Sequence, residues 1–179
     1  MRDTVALTSK PVLPGQQLVQ NGSGNLHLYS VPNAMPRAWA VHRIAAAPLA
    51  GEALRDQAYL EHGAPAVDAC AGPETVSEVS RQATSVAYSA TLHCRGLVML
   101  AQTWDADWVA KLDGRGTTLW KADGTLSAVV VPAGQHRITL RYRPIAAYVG
   151  AGMTALGLLL LSWLIYSAAR STSRSASLL

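Results

Sequence analysis

Cysteine and charge are both scarce in this sequence. Only two of its 179 residues are cysteine and 15% are charged. Two thiols are too few for a cysteine-built metal cage, and no histidine or cysteine stands at ligand spacing from Cys70 or Cys94. There is no run of like charges and no interleaving of basic with aromatic residues, which argues against nucleic acid as a partner. The five histidines, His27, His42, His62, His93 and His136, form no metal-binding or catalytic spacing, and no serine sits in a Gly-x-Ser-x-Gly context. These patterns support no hydrolytic triad, metal or cofactor. An export signal is also missing: Met1-Arg2-Asp3 is charged, and Val5-Ala6-Leu7 is far too short for a signal's apolar region.

The most informative absence is local. From Ile145 to Ala169 no Asp, Glu, Lys or Arg occurs, and Arg143 and Arg170 bound the stretch. A helix of that length is roughly 37 Å long at about 1.5 Å per residue, enough to cross a hydrocarbon core of about 30 Å with some tilt. This predicts a β-rich globular domain over 1–143, a transmembrane helix over 144–169 and a disordered, Ser-rich tail over 170–179. The lipid bilayer is the first partner implied, and the net charge of +4 suits an anionic membrane surface. Ala147, Gly150, Ala151, Thr154 and Ala155 place small residues along one helix stripe, which favours packing against other transmembrane helices. Trp163 and Tyr166 suit the interfacial belt near Arg170. Arg170 and Arg174 beyond the helix favour a cytoplasmic C-terminus and an external β-domain, single-pass in the cell membrane.

The rest reads as short strands. Val86, Tyr88, Ala90 and Leu92 alternate with polar or small residues, Leu97 to Ala101 is continuously apolar, and Trp108, Ala110 and Leu112 follow at period two. Asp113-Gly114 and Asp123-Gly124 are hairpin signals, and Pro132-Ala133-Gly134 makes another reversal. In the last strand His136, Ile138, Leu140 and Tyr142 point one way, Arg137, Thr139, Arg141 and Arg143 the other. Strands about ten residues apart, punctuated by Gly and Pro, predict an antiparallel β-sandwich, Ig-like or jelly-roll-like. Upstream, Leu26–Tyr29 and Trp39–His42 read as strands flanking a Val31-Pro32-Asn33 turn. Glu52–Glu61 reads as the one short helix outside the membrane, with Leu54, Ala58 and Tyr59 on one face. Ala64–Val67 reads as a strand, and Gly72-Pro73-Glu74 as a loop.

The order of Trp104-Asp105-Ala106-Asp107-Trp108, Asp113-Gly114, Pro132-Ala133-Gly134-Gln135-His136 and Tyr142-Arg143-Pro144 resembles the C-terminal region of bacterial YfhO-type membrane proteins. Met35-Pro36-Arg37-Ala38-Trp39 is similar to a Leu-Pro-Arg-Ala-Trp element of that family. The resemblance implies a polytopic parent similar to GT-C glycosyltransferases, which use lipid-phosphate-linked sugars. It places the β-domain outside the cytoplasm, before a final spanning helix, with the catalytic carboxylate in an upstream part. This chain would then be the end of a larger protein: a non-catalytic extracytoplasmic domain with its anchor, accessory to the transfer of lipid-linked sugars to cell-envelope polymers. The alternative is a stand-alone, tail-anchored binding module facing the cytoplasm.

Four constellations remain. Asp105-Ala106-Asp107 fits a divalent-cation pattern, but it is more simply a polar turn, and the resembling family has a Pro-Gly-like turn there. Trp104 and Trp120 are candidates for stacking on a sugar ring, while Trp108 shares the apolar row of Ala110 and Leu112 and belongs to the core. Arg137, Arg141 and Arg143 share a strand face that ends at the bilayer, where guanidinium forks suit phosphate or lipid headgroups; a solvated strand face is the alternative. Cys70 and Cys94 are either a disulfide, in an oxidising compartment, or two small hydrophobes.

Overall fold

The structure, a computed structural model, describes residues 4–8, 16–21, 26–31, 34–70 and 72–175. Twelve strands precede the long helix among these residues: β1 Thr4–Thr8, β2 Gln17–Asn21, β3 His27–Val31, β4 Ala38–Val41, β5 Thr75–Gln82, β6 Ser85–Leu92, β7 Gly96–Thr103, β8 Trp108–Leu112, β9 Arg115–Thr117, β10 Trp120–Ala122, β11 Leu126–Val131 and β12 Gly134–Tyr142. The helix α1 spans Ile145–Ser175.

Nine strands build a sandwich of two antiparallel sheets, ordered β10-β11-β7-β4 and β5-β6-β12-β8-β9. Period-two alternation supplies the core between them. Val86, Tyr88, Ala90 and Leu92 from β6 and Ile138 and Leu140 from β12 meet Val98 and Leu100 from β7 and Val129 and Val131 from β11. Each such Val, Leu or Ile contributes about 1.5–3 kcal/mol when withdrawn from water. Trp108 and Leu112 pack against this core from β8.

The continuously apolar Leu97–Leu100 has a second layer to serve. Its odd positions, Leu97 and Met99, point away from the sandwich interior and pack with Val41, Ala58, Leu60, Ala122 and Ala128. The chain from Ile44 to Val67 covers that outer face of the four-stranded sheet. Trp39 Nε1 donates to the Leu54 carbonyl at 2.8 Å. Asp123 Oδ1 accepts the amides of Tyr59 and Leu49 at 3.2 and 3.3 Å, and burial pushes its carboxyl above the usual carboxylate range.

This covering segment corrects the helix expected over Glu52–Glu61. Only Gly51–Arg55 is helical, as a 3-10 turn. Beyond it the backbone bonds sideways: the Ala58 amide donates to the Arg43 carbonyl and the Glu61 amide to that of Lys121. Ala58 and Leu60 alternate inward through bridges to Ile44 and Ala122. Tertiary pairing has overridden a weak helical period. Ala64–Val67 is irregular rather than a strand; Pro65 removes a backbone donor there.

Both predicted N-terminal strands exist, but β3 and β4 lie in different sheets, so they do not flank a shared hairpin. Pro32 and Asn33 lie outside the described residues. β3 is instead the centre of a three-stranded sheet ordered β1-β3-β2.

Both Asp-Gly turns are hairpins with positive φ at both residues: 49° and 82° at Asp113 and Gly114, 46° and 81° at Asp123 and Gly124. Such primed turns match the strand twist. The reversals at His93–Arg95 and Pro132–Ala133 cross between the two sheets instead, since β6 and β7, like β11 and β12, belong to opposite layers.

β12 passes into α1 through Arg143 and Pro144 alone. The stretch Ile145–Tyr166, 22 residues of mean hydropathy 1.8, is long and apolar enough to cross a membrane, and none of it is buried by the rest of the chain. It is consistent with single-pass membrane anchoring. The helix does not stop at Ala169 but continues to Ser175, so the tail expected to be disordered over 170–179 is helical in its first part. No Gly or Pro stands between Ala169 and Ser175 to end it. Residues 176–179 lie outside the described residues.

Candidate functional site

Trp104 and Trp120, 16 positions apart, line one cleft of about 340 Å³ together with Glu61, His62, Thr118, Leu119 and Lys121. Trp104 follows the end of β7, and Trp120 opens the edge strand β10. The Leu60–Ala122 bridge brings Glu61 and His62 alongside that edge. Trp104 Nε1 donates to the Leu119 carbonyl at 3.3 Å, which fixes the indole. Lys121 Nζ lies 3.0 Å from Glu61 Oε1 and 5.8 Å from the centre of the Trp104 ring. Gly63, at φ +78°, passes so close to Trp120 that an added Cβ would meet its Cζ3 at 2.9 Å. The two tryptophans were visible as candidates from composition. Glu61, His62 and Lys121 were not, because only the pairing of a covering loop with β10 makes them neighbours.

A second feature is the outward face of the five-stranded sheet. Arg137 and Arg141 stand on the central strand β12, and Thr139 between them pairs with Lys111 on β8. Arg143 follows at the end of the strand next to α1. Lys111, Arg137 and Arg141 are exposed. At the outward register positions of β5 and β6 stand Thr75, Ser77, Ser85, Ser89 and Thr91, none of them acidic. Lys111 was missed from sequence: its parity on β8 was legible, its pairing with β12 was not. At the same end Trp108 and Tyr142 pair with ring centres 5.2 Å apart.

Cys70 and Cys94 form a disulfide with Cα atoms 6.5 Å apart. It ties the loop before β5 to the β6–β7 crossing. His42 stands beside it, with Nδ1 2.9 Å from the Asp68 carbonyl oxygen and Nε2 2.9 and 3.0 Å from the two Glu74 oxygens. Glu74 also accepts the His93 amide at 3.0 Å. Ligand atoms of His42, Cys70 and Cys94 lie within 4.8 Å of one another. With both sulfurs joined neither is a thiolate, so the cluster is a cross-link braced by the hydrogen bonds between His42 and Glu74 rather than a metal centre.

Asp105 and Asp107 make a polar turn: Asp105 Oδ1 accepts the Asp107 amide at 2.8 Å, and the Asp105 carbonyl accepts that of Trp108 at 3.1 Å. Their charges push the nearby Tyr142 phenol upward, Asp105 most. On α1, Ala147, Gly150, Ala151, Thr154 and Ala155 are all exposed, and Thr154 Oγ1 donates to the Gly150 carbonyl at 2.9 Å. The hydroxyl is thus satisfied within the helix. A second cleft, of about 420 Å³, lies between Pro132, His136 and the β8–β9 hairpin.

Comparisons with protein-family models, with curated proteins and with solved structures give no match to this chain.

Proposed function

We propose that this chain is the non-catalytic extracytoplasmic β-domain and membrane anchor of a YfhO-type membrane protein, accessory to the transfer of lipid-linked sugars to cell-envelope polymers. One observation carries the reading: a head cross-linked by Cys70–Cys94 is joined by two residues to a bare apolar helix. A disulfide persists in an oxidising compartment, and a linker that short holds the head at the bilayer surface. A reducing cytosol would open the cross-link, which weighs against the tail-anchored alternative. The Trp-Asp-Ala-Asp-Trp, Pro-Ala-Gly-Gln-His and Tyr-Arg-Pro segments support the family reading by their order. The small-residue stripe on α1 supports neighbouring helices as partners.

Protease accessibility and thiol labelling of the chain in intact cells test the topology. The head is expected to be cleaved from outside, and its cysteines to label only after reduction. A protected head with freely labelled thiols overturns the topology. Deletion of the gene is expected to lower the sugar content of envelope polymers; unchanged polymers overturn the accessory role.

A further inference from the structure

We infer that the cleft between Trp104 and Trp120 binds a neutral saccharide, with the indoles taking the apolar face of a sugar ring and Glu61 and Lys121 its hydroxyls. This deepens the accessory role proposed above by naming what the head holds.

The core does not require Trp104. Tyr88, Leu97, Met99, Ile138 and Leu140 fill the two packed layers. Trp39, Trp108 and Trp120 are packed against one layer or the other, whereas Trp104 belongs to neither and instead lines the cleft. Its ring N–H is already bonded to the Leu119 carbonyl, so what it offers a ligand is π surface. The electron-rich face of an indole attracts the weakly positive C–H groups on one side of a pyranose.

The polar groups narrow the ligand further. Glu61 and Lys121 pair at 3.0 Å, so their charges cancel where they line the cleft. An anion would meet the Glu61 carboxylate, and a cation the Lys121 ammonium. A wholly apolar ligand would cover the pair without hydrogen bonds, which is costly. A polyol suits both: the carboxylate accepts from one hydroxyl while the adjacent ammonium donates to the next. The volume of about 340 Å³ lies at the small end of ligand pockets, about 300–1,000 Å³, which suits one or two sugar rings. Gly63 against Trp120 and the ion pair against Trp104 hold the walls in place before any ligand arrives, which reduces the ordering cost of binding.

The other clusters offer less. In the cleft beside His136 both ring nitrogens and both Asp113 oxygens are already engaged within the chain. Around His42 the sulfurs are joined to each other.

The test is titration of the purified full chain, in a zwitterionic detergent free of sugar headgroups. The probes are methyl glucoside, methyl galactoside, N-acetylglucosamine and cellobiose, with inorganic phosphate in parallel, followed by calorimetry and tryptophan emission. Saturable binding of at least one glycoside with a change in emission is expected. Trp104→Ala and Lys121→Gln should each weaken it about tenfold or more, a factor of ten being about 1.4 kcal/mol. Trp108→Phe, outside the cleft, should leave affinity unchanged, and circular dichroism checks that each variant is folded. Absence of glycoside binding by the folded chain overturns the inference. So does binding that Trp104→Ala and Lys121→Gln leave intact, or binding of phosphate alone. A failed titration leaves the membrane topology standing, and a cytoplasmic head in cells leaves the cleft's chemistry standing.

Discussion

His136 donates from Nδ1 to the Asp113 carboxylate across 2.7 Å, joining β12 to the β8–β9 hairpin turn. Its Nε2 donates to the Ala133 carbonyl at 3.1 Å, and Asp113 Oδ1 accepts the Arg137 amide at 2.8 Å. Both ring nitrogens thus face acceptors, which the imidazolium satisfies and the neutral ring does not. The hydrogen bond to Asp113 holds His136 above the ordinary value of 6.5. The Arg137 amide, and then His136, hold Asp113 below its ordinary 3.8.

Stability should therefore vary with pH in a defined sense. The His136 contribution is complete below 6.5 and is lost as pH rises through the elevated folded value. The Asp113 contribution is complete above 3.8 and is lost as pH falls through the depressed one. Denaturant midpoints should peak on the mildly acidic side of neutrality, and His136→Gln should flatten the alkaline limb. Parallel profiles for the two proteins would remove the pair as the cause.

The Cys70–Cys94 cross-link closes a loop with a sequence separation of 24. Loop-closure entropy for such a length gives about 3 kcal/mol of stabilisation. Reduction, or the double substitution to Ser, should lower the urea midpoint of the head accordingly. Single Cys→Ser variants should do the same, while leaving one thiol open to labelling. A midpoint unmoved by reductant would mean that the Glu74 contacts to His42 and His93 hold the crossing by themselves.

Much of this architecture was legible before any coordinates. The alternation in β6 and β12, the Asp-Gly hairpins and the uncharged Ile145–Ala169 stretch are local signals, and local signals survive folding. Several misreadings lie where the deciding partner is distant in sequence. Ala58 and Leu60 alternate because they bridge to Ile44 and Ala122, not because of their neighbours. β5 carries little local signal because its Thr75–Gln82 run is largely polar, held in the sheet by pairing with β6. The same holds for the cleft: both tryptophans stood out by type, while Glu61 and Lys121 needed the edge of β10 to bring them together.

Gly63 and Gly114 both adopt positive φ, at 78° and 82°, yet only Gly63 has a neighbour in the way of a Cβ. Gly114→Ala should cost about 1 kcal/mol for backbone strain alone. Gly63→Ala should cost that and about 1–3 kcal/mol more for overpacking against Trp120, and should shift tryptophan emission. Thermal melts of the two variants side by side separate the strain from the steric contact. Equal losses would show that Trp120 moves aside freely.

The apolar stretch of α1 makes its own prediction. Leu159 sits about one helical turn past the midpoint of Ile145–Tyr166 and is exposed. An Arg at the centre of a spanning helix costs about 2.5–3.5 kcal/mol on insertion scales. Leu159→Arg should release the chain from membranes on alkaline extraction, while Ser162→Ala, which only removes a hydroxyl bonded to the Leu158 carbonyl, should not. Retention of Leu159→Arg to the level of the parent would refute α1 as the anchor of this chain.

The basic face should sense lipid charge with a gradient along β12. At about 3.3 Å per residue, Arg143 lies roughly 7 Å of chain from Ile145, Arg141 roughly 13 Å and Arg137 roughly 26 Å. The Debye length at physiological salt is about 8 Å, and each Lys or Arg near an anionic surface contributes about 1 kcal/mol. Arg143 should therefore matter most and Arg137 least, with Lys111 reporting on the row because it pairs with Thr139 between Arg137 and Arg141. With the chain in nanodiscs at about 10 mM salt, where the Debye length is about 30 Å, amine labelling of Lys111 should be slower on anionic than on zwitterionic lipid, and high salt should abolish the difference. Arg143→Ala and Arg141→Ala should shrink it in that order. Identical labelling on both lipids would make the row a solvated strand face, leaving the helix as the head's sole hold on the membrane.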